Sequence, residues 1–266
     1  MTINKLLDLN GRTALITGAA GGLGGEFSKT LAELGANLII TDRDIEALEV
    51  LKKDLSEKYK IKIITIECDL ETAEGRTNLV NEIERSIASL EILVNNAAFV
   101  GSSQLSGWSV PFESQSLSTF RRATEVNLSA VFDLCQKLAP LLRLGKAPTI
   151  INVASIYGFV APKWSLYEGT SMGNPAAYAS SKAGVIQLTK WLASALAPTI
   201  RVNCISPGGI FSGQPQIFVD RYSQHTPLAR MAKFSDFAGA IAYLATDLSL
   251  YVTGHNLIVD GGWSIW

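Results

Sequence analysis

Arg12-Thr13-Ala14-Leu15-Ile16-Thr17-Gly18-Ala19-Ala20-Gly21-Gly22-Leu23-Gly24 decides how this 266-residue chain is read. The apolar run up to Thr17 reads as a buried strand, glycines crowd the next few positions, and apolar spacing over 23–34 predicts an amphipathic helix. Strand, glycine-rich turn and helix in that order make a cradle for a pyrophosphate. With no side chains in the way, backbone amides and the helix N-terminus approach the anion closely. Glycines also serve turns for conformational reasons alone, so the cluster takes its meaning from the strand before it and the helix after it. On this reading Gly18, Gly21, Gly22, Leu23 and Gly24 bind a dinucleotide.

A second short strand, Asn37-Leu38-Ile39-Ile40-Thr41, ends at Asp42, near the spacing of about twenty residues expected for an acid that binds a ribose. A carboxylate there accepts hydrogen bonds from both ribose hydroxyls and repels a 2′-phosphate, which favours NAD. Arg43 beside it keeps NADP as the alternative, because a guanidinium pairs with a phosphate. The pattern over 45–59 is helical, and Ile61-Lys62-Ile63-Ile64-Thr65-Ile66-Glu67-Cys68 reads as a third strand closing at Asp69-Leu70. Asp69, at the carboxyl end of a strand, is a candidate for the adenine amino group or for a helix cap, with Leu70 beside it. A polar helix over 72–89 leads to Ile92-Leu93-Val94-Asn95-Asn96-Ala97-Ala98, where the asparagines either fix the sheet edge or, with Ala97, shape the floor under the cofactor.

Residues 99–117 show no period and read as a loop over the sheet's carboxyl edge. A long helix over 118–143 then carries Asn127 among Val126, Leu128 and Val131. The strand Pro148-Thr149-Ile150-Ile151-Asn152-Val153-Ala154 delivers Ser155 to the same edge. A second loop, 158–177, holds Trp164, Tyr167 and Glu168 and runs into Tyr178-Ala179-Ser180-Ser181-Lys182. Four residues apart on a helix, Tyr178 and Lys182 share a face. A nearby ammonium favours the phenolate, so Lys182 is expected to lower the Tyr178 pKa toward a range useful for proton transfer. Beyond it come a strand over 200–205, the break at Pro207-Gly208-Gly209-Ile210-Phe211-Ser212, a short helix over 214–225 inside a third loop (211–230), a helix over 234–245 and a last strand over 256–259. The alternation predicts an α/β fold: one domain over 1–266 with a doubly wound parallel sheet of about seven strands and helices on both faces, an α/β/α sandwich.

Composition narrows the function. With 23 Lys plus Arg against 24 Asp plus Glu and no basic run, nothing suggests nucleic acid or an anionic membrane as partner. No apolar stretch reads as a signal peptide or a membrane span, so a cytoplasmic protein is expected. Cys68, Cys135 and Cys204 lie far apart in apolar stretches and read as buried thiols, and no metal site is expected from them or from His225 and His255.

Taken in order, Gly18, Gly22 and Gly24, Asn95 to Ala98, Asn127, Ser155, Tyr178 with Lys182, and Pro207 with Gly208 resemble the short-chain dehydrogenase/reductase pattern TGxxxGxG, NNAG, Asn, Ser, YxxxK and PG. The resemblance spans nearly the whole chain. It implies a Rossmann-type fold and an NAD(P)-dependent oxidoreductase acting on a small-molecule alcohol or ketone, a sugar or sugar derivative among the candidates. It implies Tyr178 as acid/base, Lys182 lowering its pKa and holding the nicotinamide ribose, Ser155 on the substrate oxygen, and Asn127 positioning a water. Pro207, Gly208, Ile210 and Ser212 would meet the nicotinamide end, and Trp164, Tyr167 and Glu168 the substrate. Three departures stand out. About ten extra residues separate Ser155 from Tyr178 compared with compact members, a stretch expected to set substrate identity. Ala98 replaces the last glycine of NNAG, tolerable unless positive φ is required there. Ser212 stands where Thr is common, and keeps the hydroxyl. The run Tyr167-Glu168-Gly169-Thr170-Ser171-Met172 with Ser206-Pro207-Gly208-Gly209-Ile210 looks like members from surface-glycan and flagellin-modification pathways. A homotetramer or homodimer is implied as well. The alternatives are an NAD-binding epimerase or dehydratase on a nucleotide-linked sugar, and a non-catalytic NAD(H)-binding regulator.

Overall fold

Along each strand successive side chains point to opposite faces, and here both faces are covered. The computed structural model describes residues 2–100 and 105–266. Its strands are β1 (Thr13–Thr17), β2 (Asn37–Asp42), β3 (Ile63–Glu67), β4 (Ile92–Asn95), β5 (Thr149–Val153), β6 (Arg201–Pro207) and β7 (Asn256–Val259). They form one parallel sheet in the order β3-β2-β1-β4-β5-β6-β7, which reverses direction beside β1. The helices are α1 (Ile3–Leu7), α2 (Gly22–Glu33), α3 (Ile45–Lys58), α4 (Ala73–Ser86), α5 (Leu117–Thr124), α6 (Ala130–Arg143), α7 (Ala176–Leu196), α8 (Gln216–Gln224) and α9 (Ala238–Ala245).

Ile16 and Ile40 bury against Phe27 and Leu31 of α2 and Ile241 of α9. Their neighbours Leu15 and Ile39 point the other way, against Leu79 and Ile83 of α4, Leu134 and Leu138 of α6, and Leu192 of α7. Two apolar layers therefore flank the sheet, as the apolar strand sequences predict. In an open sheet of this kind ligands bind outside the carboxyl ends of the strands, at the point where the strand order reverses.

The expected continuous helix over 118–143 is a correction. α5 and α6 are separated by a π-helical turn, Glu125–Ser129, centred on Asn127. Asn127 is 1% exposed there, because its amide is spent inside the protein rather than in solvent. Its Oδ1 accepts the Phe99 N–H at 2.6 Å and its Nδ2 donates to Ser181 Oγ at 3.0 Å. Such inserted turns are frequent at functional sites. The three expected loops also carry structure. Within 99–117 the helix α5 already starts at Leu117, and residues 101–104 lie outside the described set. Within 158–177 a 3-10 turn covers Trp164–Leu166, and α7 begins at Ala176 behind Pro175. Within 211–230 lies α8. The three cysteines are buried and free. Among the described residues no helix is long and apolar enough to cross a membrane.

Candidate functional site

The glycine-rich turn is held by β4. Thr17 Oγ1 accepts the N–H groups of Asn96 (3.1 Å) and Ala97 (3.0 Å), and Asn96 Nδ2 donates to the carbonyls of Thr17 (2.9 Å) and Gly18 (3.0 Å). The backbone there leaves no room for side chains. Gly18 has φ +65°, and a Cβ on it would lie 2.7 Å from Ala97 Cα; a Cβ on Gly24 would run into the Gly18 carbonyl oxygen. Asn95 works on the other side of the sheet edge, donating from Nδ2 to Asn152 Oδ1 at 2.9 Å, and Asn152 Nδ2 donates to Thr189 Oγ1 of α7 at 2.9 Å. The two asparagines thus play different structural parts: Asn95 ties strands and helix, and Asn96 fastens the glycine-rich turn to the end of β4. Ala98 is not among the residues with positive φ, so the missing glycine carries no strain.

Asp42 closes β2 with its carboxylate turned to that turn: Oδ2 accepts the Ala20 N–H at 3.1 Å and Oδ1 the Arg43 N–H at 2.7 Å. Arg43 itself is exposed. Asp69 Oδ1 accepts the Glu71 N–H at 2.9 Å, while Thr72 caps α4. Asp69 is therefore not the cap.

At the middle of the carboxyl edge stand Ser155, Tyr178 and Lys182. Ser155 follows β5, and its Oγ accepts the Tyr157 N–H at 3.2 Å. Tyr178 and Lys182 occupy the first turns of α7, which Pro175 opens with a φ of −66°. Lys182 is 2% exposed, and its Nζ donates to the Val153 carbonyl at 2.7 Å. That ammonium lies 5.8 Å from the centre of the Tyr178 ring. Burial draws the Lys182 pKa down to about 8. Burial also raises the Tyr178 phenol above its ordinary value, the hydrogen bond with Ser155 pulling the other way. This corrects the expectation that Lys182 lowers it: the ammonium is turned to the Val153 carbonyl, and burial is the largest influence on the phenol.

A cavity of about 790 Å³ joins these groups along the edge. It is lined by every residue assigned to the dinucleotide except Ser212, and by Ser155, Tyr178 and Lys182. Ser212 Oγ instead accepts from Gln214 Nε2 at 3.1 Å, and Gln214 reaches the wall. Asn127 stands behind the wall, with Val126 in front. Of the three substrate candidates only Tyr167 lines the cavity. Trp164 is 61% exposed, and Glu168 is exposed with its carbonyl accepting from Arg221 Nη1. Their aromatic and acidic character attracted a binding role, yet Trp164 in the 3-10 turn and Glu168 just past it lie on the outer surface.

Sequence reading missed Tyr157, Asn174, Phe218, Tyr222, Met231 and Phe234, all in the wall. Phe218 and Tyr222, four residues apart on α8, were readable as one helix face. Phe234 packs its ring on Gly22, a contact with no local signature. The donor set and the bare backbone of the turn fit a nicotinamide dinucleotide: amides and a helix start for the pyrophosphate, a carboxylate for the ribose, an apolar floor.

A family model described as enoyl-(acyl carrier protein) reductase matches residues 18–264. The chain is 34% identical over 264 residues to the 3-oxoacyl-(acyl-carrier-protein) reductase FabG of Rickettsia bellii, covering 97% of this chain and 98% of that one. It is 27% identical over 259 residues to the post-translational flagellin modification protein A of Campylobacter coli, covering 97% of this chain and all (100%) of that one. Among solved structures, a gluconate 5-dehydrogenase from Burkholderia cenocepacia in complex with NADP and tartrate superposes with a TM-score of 0.87 at 26% identity, over 100% of both chains. Matched over nearly its whole length, with the glycine-rich turn, serine, tyrosine and lysine gathered in one cavity, the chain belongs to the short-chain dehydrogenase/reductase family of oxidoreductases.

Proposed function

We propose that this protein is an NAD(H)-dependent oxidoreductase interconverting a secondary alcohol and a ketone, with Tyr178 as general acid/base. The observation that carries the reading is the common wall shared by Tyr178, Ser155, Lys182 and the glycine-rich turn. A bound nicotinamide supplies or accepts the hydride. The chain's own residues do the rest. Gly18 to Gly24 would present backbone amides to the pyrophosphate, and Lys182 would hold the nicotinamide ribose. Ser155 donates to the substrate oxygen. Tyr178 gives its proton to that oxygen on reduction and takes it back on oxidation. Burial raises the phenol above its ordinary value, which favours the protonated form that reduction uses. Asn127 acts as a positioning residue, holding the Phe99 segment and, through Ser181, the start of α7.

Asp42 supports NAD: its carboxylate is fixed by the Ala20 and Arg43 amides, facing the turn where a 2′-phosphate would be repelled. NADP is the second reading, favoured by Arg43 in the same wall and by the NADP bound in the gluconate 5-dehydrogenase neighbour. Steady-state kinetics with both cofactors decide between them; a kcat/KM favouring NADPH would overturn the Asp42 argument. We also propose a homotetramer or homodimer assembled through the α6/α7 face. Trp191 (60% exposed) and Phe132 (42%) form with Leu128 and Leu188 a shallow apolar depression there. Sizing in solution tests it, with a monomer as the contrary result.

A further inference from the structure

Tyr222 belongs to both ends of the cavity. The proposed dinucleotide crosses the carboxyl edge from the adenosine side, where Asp42 ends β2 and Asp69 follows β3, through the turn after β1 to the reacting side. On that side Ser155 follows β5, and Pro207 to Ile210, where β6 ends, complete the wall. The nicotinamide half would therefore lie against the 207–210 loop.

Two successive glycines, Gly208 and Gly209, make that loop permissive, so its shape has to be imposed from outside. Main-chain bonds supply part of it. Gly208 N–H donates to the Val259 carbonyl at 2.9 Å, the Gly209 carbonyl accepts the Ala232 N–H at 2.9 Å, and Phe211 N–H donates to the Ala232 carbonyl at 2.8 Å. Side chains supply the rest. Gln214 Nε2 donates to the Ile210 carbonyl at 2.9 Å from within the same turn. The Gly209 N–H goes to Tyr222 Oη of α8 at 2.5 Å. That contact is close as well as polar: a Cβ on Gly209 would lie 2.7 Å from Tyr222 Cζ, and one on Gly208 3.1 Å from its Oη.

Tyr222 is itself firmly held. It is 2% exposed, its ring stacks on Trp263 at 5.9 Å with the planes 17° apart, and its carbonyl accepts from Thr226 Oγ1 at 2.8 Å. Burial raises the phenol above its ordinary value, so Gly209 meets a neutral hydroxyl. The ring also lies 6.0 Å from Phe218, which packs at 5.4 Å on Tyr167 of the lid, residues 158–177. All three aromatics line the cavity.

We infer that Tyr222 is a positioning residue for the nicotinamide half of the cofactor: its hydroxyl fixes Gly209 and, through it, the loop against which the nicotinamide would lie. The inference rests on the dinucleotide reading of the site and adds a residue from α8 to it. No bond forms or breaks at Tyr222. A loop ordered beforehand has less conformational freedom to lose on binding, so the hydroxyl acts as affinity for the nicotinamide half. The adenosine and pyrophosphate contacts are made after β1, β2 and β3 and do not pass through Gly209.

The test is calorimetric titration of the full chain with NADH and with ADP-ribose, which carries the adenosine and pyrophosphate but no nicotinamide. Tyr222→Phe keeps the ring and removes only the hydroxyl. It is expected to raise the NADH Kd roughly tenfold and to leave the ADP-ribose Kd within about twofold. Gly209→Ala breaks the same contact from the loop side and is expected to show the same selectivity, with circular dichroism checking the fold of both variants. A merely structural tyrosine would weaken both ligands alike. That result, or an unchanged NADH Kd in Tyr222→Phe, overturns the inference and leaves the dinucleotide reading standing. NADPH with 2′-phospho-ADP-ribose replaces the pair if NADPH is the tighter ligand. A wild-type chain that binds neither dinucleotide sinks the cofactor reading, and the inference with it.

Discussion

The two ends of the cavity are built from different material. At the nucleotide end the contact surface is largely backbone: Gly18 to Gly24, strapped by Asn96 and Thr17, with the carboxylates of Asp42 and Asp69 each bonded to main-chain amides. At the substrate end the surface is side chain, contributed by the 158–177 segment, α8 and the turn after β5. Backbone held by hydrogen bonds offers one shape to one ligand, whereas a wall of aromatic side chains changes with each substitution.

Tyr178 sits on the seam, and its loss is the severest test. Tyr178→Phe should lower turnover by at least about a hundredfold while leaving NADH binding, followed by fluorescence titration, within a few-fold of wild type. Near-normal turnover would remove Tyr178 as the acid/base. Next comes the backbone end. Gly24→Ala forces a methyl into the Gly18 carbonyl, so dinucleotide affinity should fall by at least about thirtyfold, with the helix content retained by circular dichroism. An unchanged affinity would mean that the turn yields, and the contrast between rigid and adaptable ends would be lost.

Asp42→Ala should shift the NAD to NADP ratio of kcat/KM by roughly tenfold toward NADP, the worth of a charged hydrogen-bond partner. A static ratio would assign cofactor choice elsewhere in the wall. The pH profile probes the seam again. Burial raises the Tyr178 phenol, so its base form is scarce at neutral pH and accumulates as pH climbs toward that raised value. Alcohol oxidation should therefore gain about tenfold in kcat/KM per pH unit between roughly pH 6 and 8, while ketone reduction stays flat. An oxidation rate already level at pH 6 would show a phenol lowered rather than raised. The mildest change is Tyr167→Phe, which takes a hydroxyl from Tyr157 at the adaptable end. A few-fold rise in substrate KM with NADH affinity unaltered is expected; an equal effect on both ligands would deny that the ends are separable.

Much of the nucleotide end was readable in the chain because its signals are local. A strand, a glycine turn and a helix follow one another within 12–34, and Asp42 ends the very next strand. The corrections cluster where contacts are made across distance. The π turn at Asn127 arises because its amide bonds Phe99 and Ser181, residues 28 and 54 positions away. Nothing in the helical period over 118–143 announces that. Trp164 and Glu168 have the composition of a binding loop, and only the course of the chain there leaves them on the outer surface. Lys182 had the spacing to lower a phenol, but the Val153 carbonyl and the depth of burial decided the direction.

Local order along the chain was enough for the α/β alternation, the glycine-rich turn, the acid at the end of β2 and the shared helix face of Tyr178 and Lys182, because each depends on neighbours a few residues apart. Which side chains close the far end of the cavity depended on folding. Asn174, Tyr157, Phe218 and Tyr222 come from three separate segments, and their shared wall exists only when α8 and the lid pack over the sheet's carboxyl edge. Hydrogen-bond partners, burial and therefore protonation are properties of that packing, which is why the substrate end had to be read from the tertiary structure.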